Sequence, residues 1–464
     1  MASKKSKHRG KKQIRPLQAL PVIRPNTAGI DLGTTEHWVC GPAREEDSAN
    51  VKIFGTTTPQ LYELVDWLIA EGVESVAMES TGVYWIPVYE LLESRGIEVV
   101  LVNARHLRGV PGRKTDMIDC QWIQLLHSCG LLRGSFRPAE KICALRAVQR
   151  QMGNLVEERS KAVQWMQKAL DQMNVQVHRA VTDITGKTGM AIIRAIVAGQ
   201  RSPKILAKLR DKRCKKSEAQ IAEHLIGNWR QEHLFNLSWA LRLYEHLEKM
   251  IASYQRNLIE QIEALQPKVR RNLKVKRHPN ATKQKDILRR GEQPMRQALW
   301  RLCGKDLTRI DGISAGAALS VLTEVGADLS AFPDERHFVS WLRLSPKMAF
   351  SAGKALKKRR NGLSASRVAA ILRMCALTLR HSKSALGACY RRTARRHSGS
   401  VAVFAVARKL AILIYRMLTY GHDYVDEGAD RYEERFHQRR LQTLRFSARS
   451  LGFKLVAKAE TAAA

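Results

Sequence analysis

From Ala28 onward the chain alternates short apolar runs with segments of helical period. Apolar runs of strand length occupy Ala28–Gly33, His37–Cys40 and Val51–Phe54. A helical stretch over Gln60–Ala70 leads to a run at Ser75–Met78, and a second helix over Ile86–Ser94 leads to the run Ile97–Val102. A third helix starts near Asp116 and reaches His127. Three consecutive strands followed by strand-helix units predict an α/β domain. From Ala139 to Gln266 the pattern turns almost wholly helical. Within it Leu237, Tyr244, Ile251, Leu258 and Leu265 stand seven apart, and Ala240, Leu247 and Tyr254 follow the first three of these by three. This heptad seam predicts a coiled coil joining copies of the chain, with a long helix packed on its own domain as the alternative.

Charge changes the picture. The chain has 464 residues, 44% of them apolar, and a formal net charge of +36. That length exceeds one usual domain of roughly 100–200 residues. An excess of cations this large calls for a polyanion. Nucleic acid is favoured over a membrane: no run of about 18 uncharged apolar residues occurs, and Met1–Pro25 has no apolar signal core. The eight cysteines include no CxxC pair, which argues against a zinc ribbon or disulfide framework and for a reducing cytoplasm. The expected organisation is a basic unfolded arm (1–25), the α/β domain (26–138), a helical and coiled-coil region (139–266), a basic linker broken by Pro279, Gly291 and Pro294 (267–304), a compact, mainly α C-terminal domain (305–424) and a charged tail (425–464). Trp122, Trp239 and Trp341 are read as core residues. Arg391, Arg392, Arg395 and Arg396, and later Arg439, Arg440 and Arg445, are candidates to follow a nucleic-acid backbone.

The candidate chemistry lies in four carboxylates. Asp31 closes the strand Ala28–Asp31, and Glu79 ends the run that starts at Ser75; each is followed by turn residues. Asp116 and Asp119 stand three apart at a helix start, which puts both on one face. Each alone has an ordinary explanation, such as favouring a helix N-terminus through the macrodipole. Together, carboxylates from two strand ends and one helix repel unless a cation lies between them, and hard oxygen ligands suit Mg²⁺, with Mn²⁺ as the alternative. A two-metal site would act on a phosphodiester. Three strands followed by strand-helix units fit an RNase H-like sheet, with a doubly wound sheet as the alternative. Gly29-Ile30-Asp31-Leu32-Gly33-Thr34-Thr35 also fits the opening of actin-like ATPases and sugar kinases, but no later Gly-rich adenosine loop or second phosphate loop completes that site.

Asp31, Glu79-Ser80-Thr81-Gly82-Val83-Tyr84, Val102-Asn103 and Lys114-Thr115-Asp116-Met117-Ile118-Asp119 together resemble the DEDD transposases of bacterial insertion sequences, relatives of site-specific DNA invertases. Ile310-Asp311-Gly312-Ile313-Ser314-Ala315-Gly316-Ala317-Ala318 resembles the family's helix-hairpin-helix-like segment, and Leu344-Ser345-Pro346 through Ser351-Ala352-Gly353-Lys354 its Pro-then-Ser-Gly motif. Three positions depart from the family pattern: Cys120, Ala352 and Ala104 stand where Ala, Gly and Pro are usual.

The resemblance implies a RuvC-like (RNase H-like) catalytic domain and a C-terminal transposase domain with a nucleophilic serine, here Ser351. It implies donor and target DNA, a structured noncoding bridge RNA, and a homo-oligomer, dimer or tetramer, at the bacterial nucleoid. Lys114, Arg270, Arg271, Lys354, Lys357, Lys358, Arg359 and Arg360 are the expected phosphate contacts. A metal-dependent nuclease that uses water and a noncatalytic nucleic-acid-binding scaffold are the alternatives to the recombinase.

Overall fold

The computed structural model describes residues 21–42, 50–80, 82–103, 116–270, 272–345, 350–351, 354–355 and 366–456. The side chains of residues 116, 350, 351, 354 and 355 lie outside that description, as do residues 1–20 of the arm expected over 1–25. The chain divides after residue 137 into two compact units.

Among the described residues the first unit is a mixed five-stranded sheet with three helices. Its strands are β1 (Thr27–Leu32), β2 (Glu36–Cys40), β3 (Val51–Gly55), β4 (Ser75–Glu79) and β5 (Glu98–Val102); its helices are α1 (Thr58–Ala70), α2 (Trp85–Ser94) and α3 (Asp116–Ser128). The strand order is β3-β2-β1-β4-β5, with β2 antiparallel to both neighbours and β1, β4 and β5 mutually parallel. The period of two sorts the side chains between the faces. Ala28 and Ile30 of β1 and Val76 and Met78 of β4 pack with Leu64 and Leu68 of α1 and Val88 and Leu92 of α2. On the other face Ala77 and Val102 meet Ile123 of α3.

The second unit is helical. It contains α4 (Glu140–Gln172), α5 (Val177–Ala180), α6 (Lys187–Val197), α7 (Pro203–Lys208), α8 (Glu218–Glu223), α9 (Gln231–Ala264), α10 (Ala281–Arg289), α11 (Gln293–Cys303), α12 (Ala315–Val325), α13 (Glu335–Trp341), α14 (Arg367–Thr378), α15 (Ala385–Arg396), α16 (Gly399–Thr419) and α17 (Gly428–Ser450), with a short hairpin of β6 (Phe350–Ser351) and β7 (Lys354–Ala355). The helices α4 and α9 lie antiparallel, since Arg159 pairs with Glu248 while residues 165–172 face residues 236–243. Their lower ends share a core with α5 to α8, and this core holds Met166, Leu170, Ile192, Ile193, Leu206, Ile221 and Leu237. Among the described residues no helix is long and apolar enough to cross a membrane.

Three expectations change. The heptad residues Leu237, Ala240, Leu247, Ile251 and Leu258 are buried within this one chain, so the seam is filled by a neighbouring helix of the same unit. The stretch 267–304, expected to be a linker, carries α10 and α11, and Met295, Ala298, Leu299 and Leu302 of α11 are buried. Its charge is partly internal: Arg296, 2% exposed, donates from Nε and Nη2 to Asp306 Oδ2 at 3.1 and 2.6 Å, and again to Thr308 Oγ1 and the Lys276 carbonyl. A buried arginine satisfied in this way reads as surface charge in sequence. Trp239 and Trp341, expected in the core, are 55% and 39% exposed. The tail beyond 424 is mostly the helix α17, which has no buried residue.

Candidate active site

The register of the sheet determines which carboxylates become neighbours. Residues Thr27 to Ile30 pair with Ser75 to Met78 in parallel, and Glu79 in turn pairs with Val102. One further step of the same register sets Asp31 beside Glu79 at the C-terminal ends of adjacent strands. Such neighbours lie about 4.8 Å apart. Both are half-buried. Beyond Glu79 the strand leaves the ladder with Ser80, whose backbone N–H and hydroxyl both donate to the Val102 carbonyl, at 3.0 and 3.2 Å. After Leu32 the chain turns tightly, the Gly33 N–H donating to the Glu36 carbonyl at 3.1 Å.

Asp31 shares a sheet face with Gly29, two residues back. That face carries α3, which begins at Asp116 and holds Asp119 one turn later. The helix approaches β1 so closely that a Cβ on Gly29 would lie 2.5 Å from the Cys120 carbonyl oxygen, 2.9 Å from Gln124 Cα, and closer still to the Gln124 nitrogen. Glycine is therefore required for the helix to lie where it does. The Gln124 side chain adds a bond to the Thr27 carbonyl at 3.4 Å. Burial pushes the Cys120 thiol above its ordinary range, and the Asp31 carboxylate acts the same way. Asp31 and Glu79 thus lie at the ends of adjacent strands, and Asp119 lies on the helix that covers the same face of the sheet. Among the described residues no three acidic, histidine or cysteine side chains form a ready metal cage. The Asp116 side chain and Lys114 lie outside the described residues.

At the other end of α3, buried His127 accepts or donates at 2.8 Å with the Ser75 hydroxyl. Burial first, then the Arg24 charge, lowers its pKa to about 4. Gly29, Ser75 and His127 were not singled out from the sequence. A glycine inside an otherwise apolar strand was the available signal for Gly29; nothing local announced the other pair.

In the second unit the helix-hairpin-helix-like segment runs from α11 through the turn at Ile310–Ser314 into α12. The turn needs Gly312 at φ 84°, and its Cβ would meet the Cys375 carbonyl oxygen at 2.9 Å. Ser314 caps α12 by accepting from the Ala317 N–H at 3.2 Å. The ammonium of Lys283, mostly buried, donates to the Thr308 and Ile310 carbonyls and holds the turn from below. Ser351 sits in β6, opposite Lys354 of β7. Lys357, Lys358, Arg359, Arg360 and Arg271 lie outside the described residues, and Arg270 is exposed. Two of the helical arginines are engaged within the chain: Arg391 donates to the Ser382 carbonyl at 2.6 Å, and Arg392 stacks 3.8 Å from the Phe436 ring centroid. Arg395, Arg396, Arg439, Arg440 and Arg445 are exposed.

Residues 28–175 match the family model of the IS110-type DEDD transposases, and residues 304–391 match that of the IS116/IS110/IS902 transposase family. Together the two cover just over half of the chain. The chain belongs to the IS110-type transposases. A search of curated proteins returns no match to it. The first match takes in the whole sheet of the transposase, α3 with Asp119, and α4; the second spans the turn at Gly312 and the β6–β7 hairpin that carries Ser351.

Proposed function

We propose that this transposase cuts and rejoins DNA strands at a carboxylate site of an RNase H-like domain, with Ser351 as nucleophile. The observation that carries the reading is the register that brings Asp31 beside Glu79 under the N-terminal end of α3. The strand order 3-2-1-4-5 with β2 antiparallel supports the RNase H-like assignment.

The donor set is all carboxylate oxygen at the ends of strands and a helix, which fits Mg²⁺ or Mn²⁺. Asp31, Glu79, Asp116 and Asp119 would hold the ions. Bound there, they would supply Lewis-acid stabilisation of charge on a scissile phosphate. The residues of this chain do the rest. The Ser351 Oγ forms a bond to phosphorus while the bond to the 3′ oxygen breaks, and that oxygen leaves with a proton as a 3′-hydroxyl. A 3′-hydroxyl of another strand reverses the step and frees the serine, so no nucleotide hydrolysis is needed. Serine belongs to the second unit and the carboxylates to the first, so both must reach one phosphate, from one chain or from two.

The net charge of +36 supports binding of several polyanion segments at once. We take these to be donor and target DNA and a structured bridge RNA whose base pairing selects sequence while the protein reads backbone. Homo-oligomerisation belongs to the same reading.

The test combines the protein, Mg²⁺, labelled element-end DNA and candidate RNA, followed by denaturing electrophoresis. A denaturation-resistant protein-DNA adduct is expected, absent in Ser351→Ala and in Asp119→Asn. Strand cutting without any adduct would assign the reaction to water and a plain nuclease. Neither cutting nor an adduct, with DNA still bound, would leave a binding scaffold.

A further inference from the structure

The helical pair α4 and α9 carries a cleft that strand cutting does not use. Trp165, Lys168 and Gln172 line one side, and Asn236 and Trp239 the other, around a volume of about 530 Å³. Ala169 and Ala240, 2% and 4% exposed, form its floor. Small side chains at the helix contact leave the space, and the two indoles stand over it, 52% and 55% exposed. Large apolar rings grouped in water mark a surface that something covers.

Its chemistry narrows the occupant. The Arg242 guanidinium lies 5.1 Å from the Trp239 ring centroid, and Lys168 is exposed at the rim. No carboxylate is among the described residues that line the cleft. The amides of Gln172 and Asn236 offer both donors and acceptors. A second copy of this same face would set these cations against another pair, with no acid among the described lining residues to meet them. A flat heteroaromatic ring with an anion attached satisfies all the groups at once.

We propose that this cleft takes an unpaired base of single-stranded DNA, stacked on Trp165 and Trp239, with its phosphate toward Lys168 and Arg242. The choice of DNA rests on membership of a transposase family, since cutting and rejoining a duplex exposes unpaired stretches; the stacking follows from the two indoles of the cleft.

The test uses the full chain and fluorescence anisotropy with labelled oligo(dA) of about ten nucleotides, within the usual range of single-strand sites. Trp165→Ala and Trp239→Ala should each weaken binding about five-fold or more, the range expected for loss of one stacked base. Trp165→Phe and Trp239→Phe should keep most of it. Binding of a blunt duplex should change less than about two-fold, because paired bases offer no face. Lys168→Gln should lower the salt slope by about 0.7. Circular dichroism checks that the variants fold, which the exposure of both rings favours. Unchanged oligo(dA) binding, or an equal loss on duplex, would overturn the proposal. A larger loss on oligo(rA) than on oligo(dA) would assign the cleft to RNA instead. A change of molecular mass in light scattering with oligonucleotide binding intact would make it an interface between copies. The Ser351 adduct is read separately, so either proposal can fail while the other stands.

Discussion

The closest backbone approach at the carboxylate site makes Gly29→Ala the sharpest perturbation available. The new methyl would lie 2.5 Å from the Cys120 carbonyl oxygen and 2.9 Å from Gln124 Cα, where ordinary contact begins near 3.4 Å. Both neighbours are backbone of α3, so no side chain can swing away. The helix must retreat by about 1 Å, or β1 must bend, and overpacking of this kind costs about 1–3 kcal/mol. The retreat also moves Asp119 away from β1 and β4, and if the proposed site is right, a misplacement of about 1 Å can cost on the order of 10²-fold in rate. Hydrogen exchange followed by peptide mass analysis is the suitable assay, because it reads β1 and α3 separately from the helical unit. Faster exchange is expected in peptides covering 27–32 and 116–128, with peptides of α9 unchanged, and strand cutting should fall more steeply than stability. Wild-type protection in α3 together with wild-type cutting would refute the claim that this glycine positions the helix.

Gly153, inside α4, has open space where a Cβ would go, so Gly153→Ala should stabilise the helical unit by about 0.5–1 kcal/mol, seen as a rise in its urea midpoint. Arg296→Ala or Asp306→Ala leaves one buried charge alone and should cost about 3–5 kcal/mol in the same measurement, whereas replacing both by apolar residues of similar volume should cost far less. His127 is held neutral, its pKa lowered from 6.5 to about 4 by burial and then by Arg24. The unfolded chain takes up that proton first, so the stabilisation is complete above pH 6.5 and is lost as pH falls toward 4, with a slope of at most about 1.4 kcal/mol per pH unit. His127→Gln should flatten that part of the acid limb in thermal melts, and an unchanged slope would remove His127 as its cause.

What the sequence made legible was local. Five short apolar runs were enough to locate the strands, and a carboxylate closing an apolar run was anomalous enough to mark Asp31 and Glu79. Their adjacency was not local, because it depends on a register that sets Ile30 against Met78, 48 positions away. A one-residue slip would turn Glu79 to the opposite face. The heptad of α9 shows a different limit. Seven-residue spacing says that a stripe must be covered and not by what, and here Leu237, Leu247 and Leu258 are covered from within the chain. Arg296 and Trp239 fail in opposite directions for the same reason. Each was judged by residue type, yet the arginine made four hydrogen bonds and went inside, while the indole lies beside a floor of two alanines and stayed out. Burial follows partners brought together by the fold, so the residues whose surroundings are distant in sequence are those whose roles had to wait for the structure.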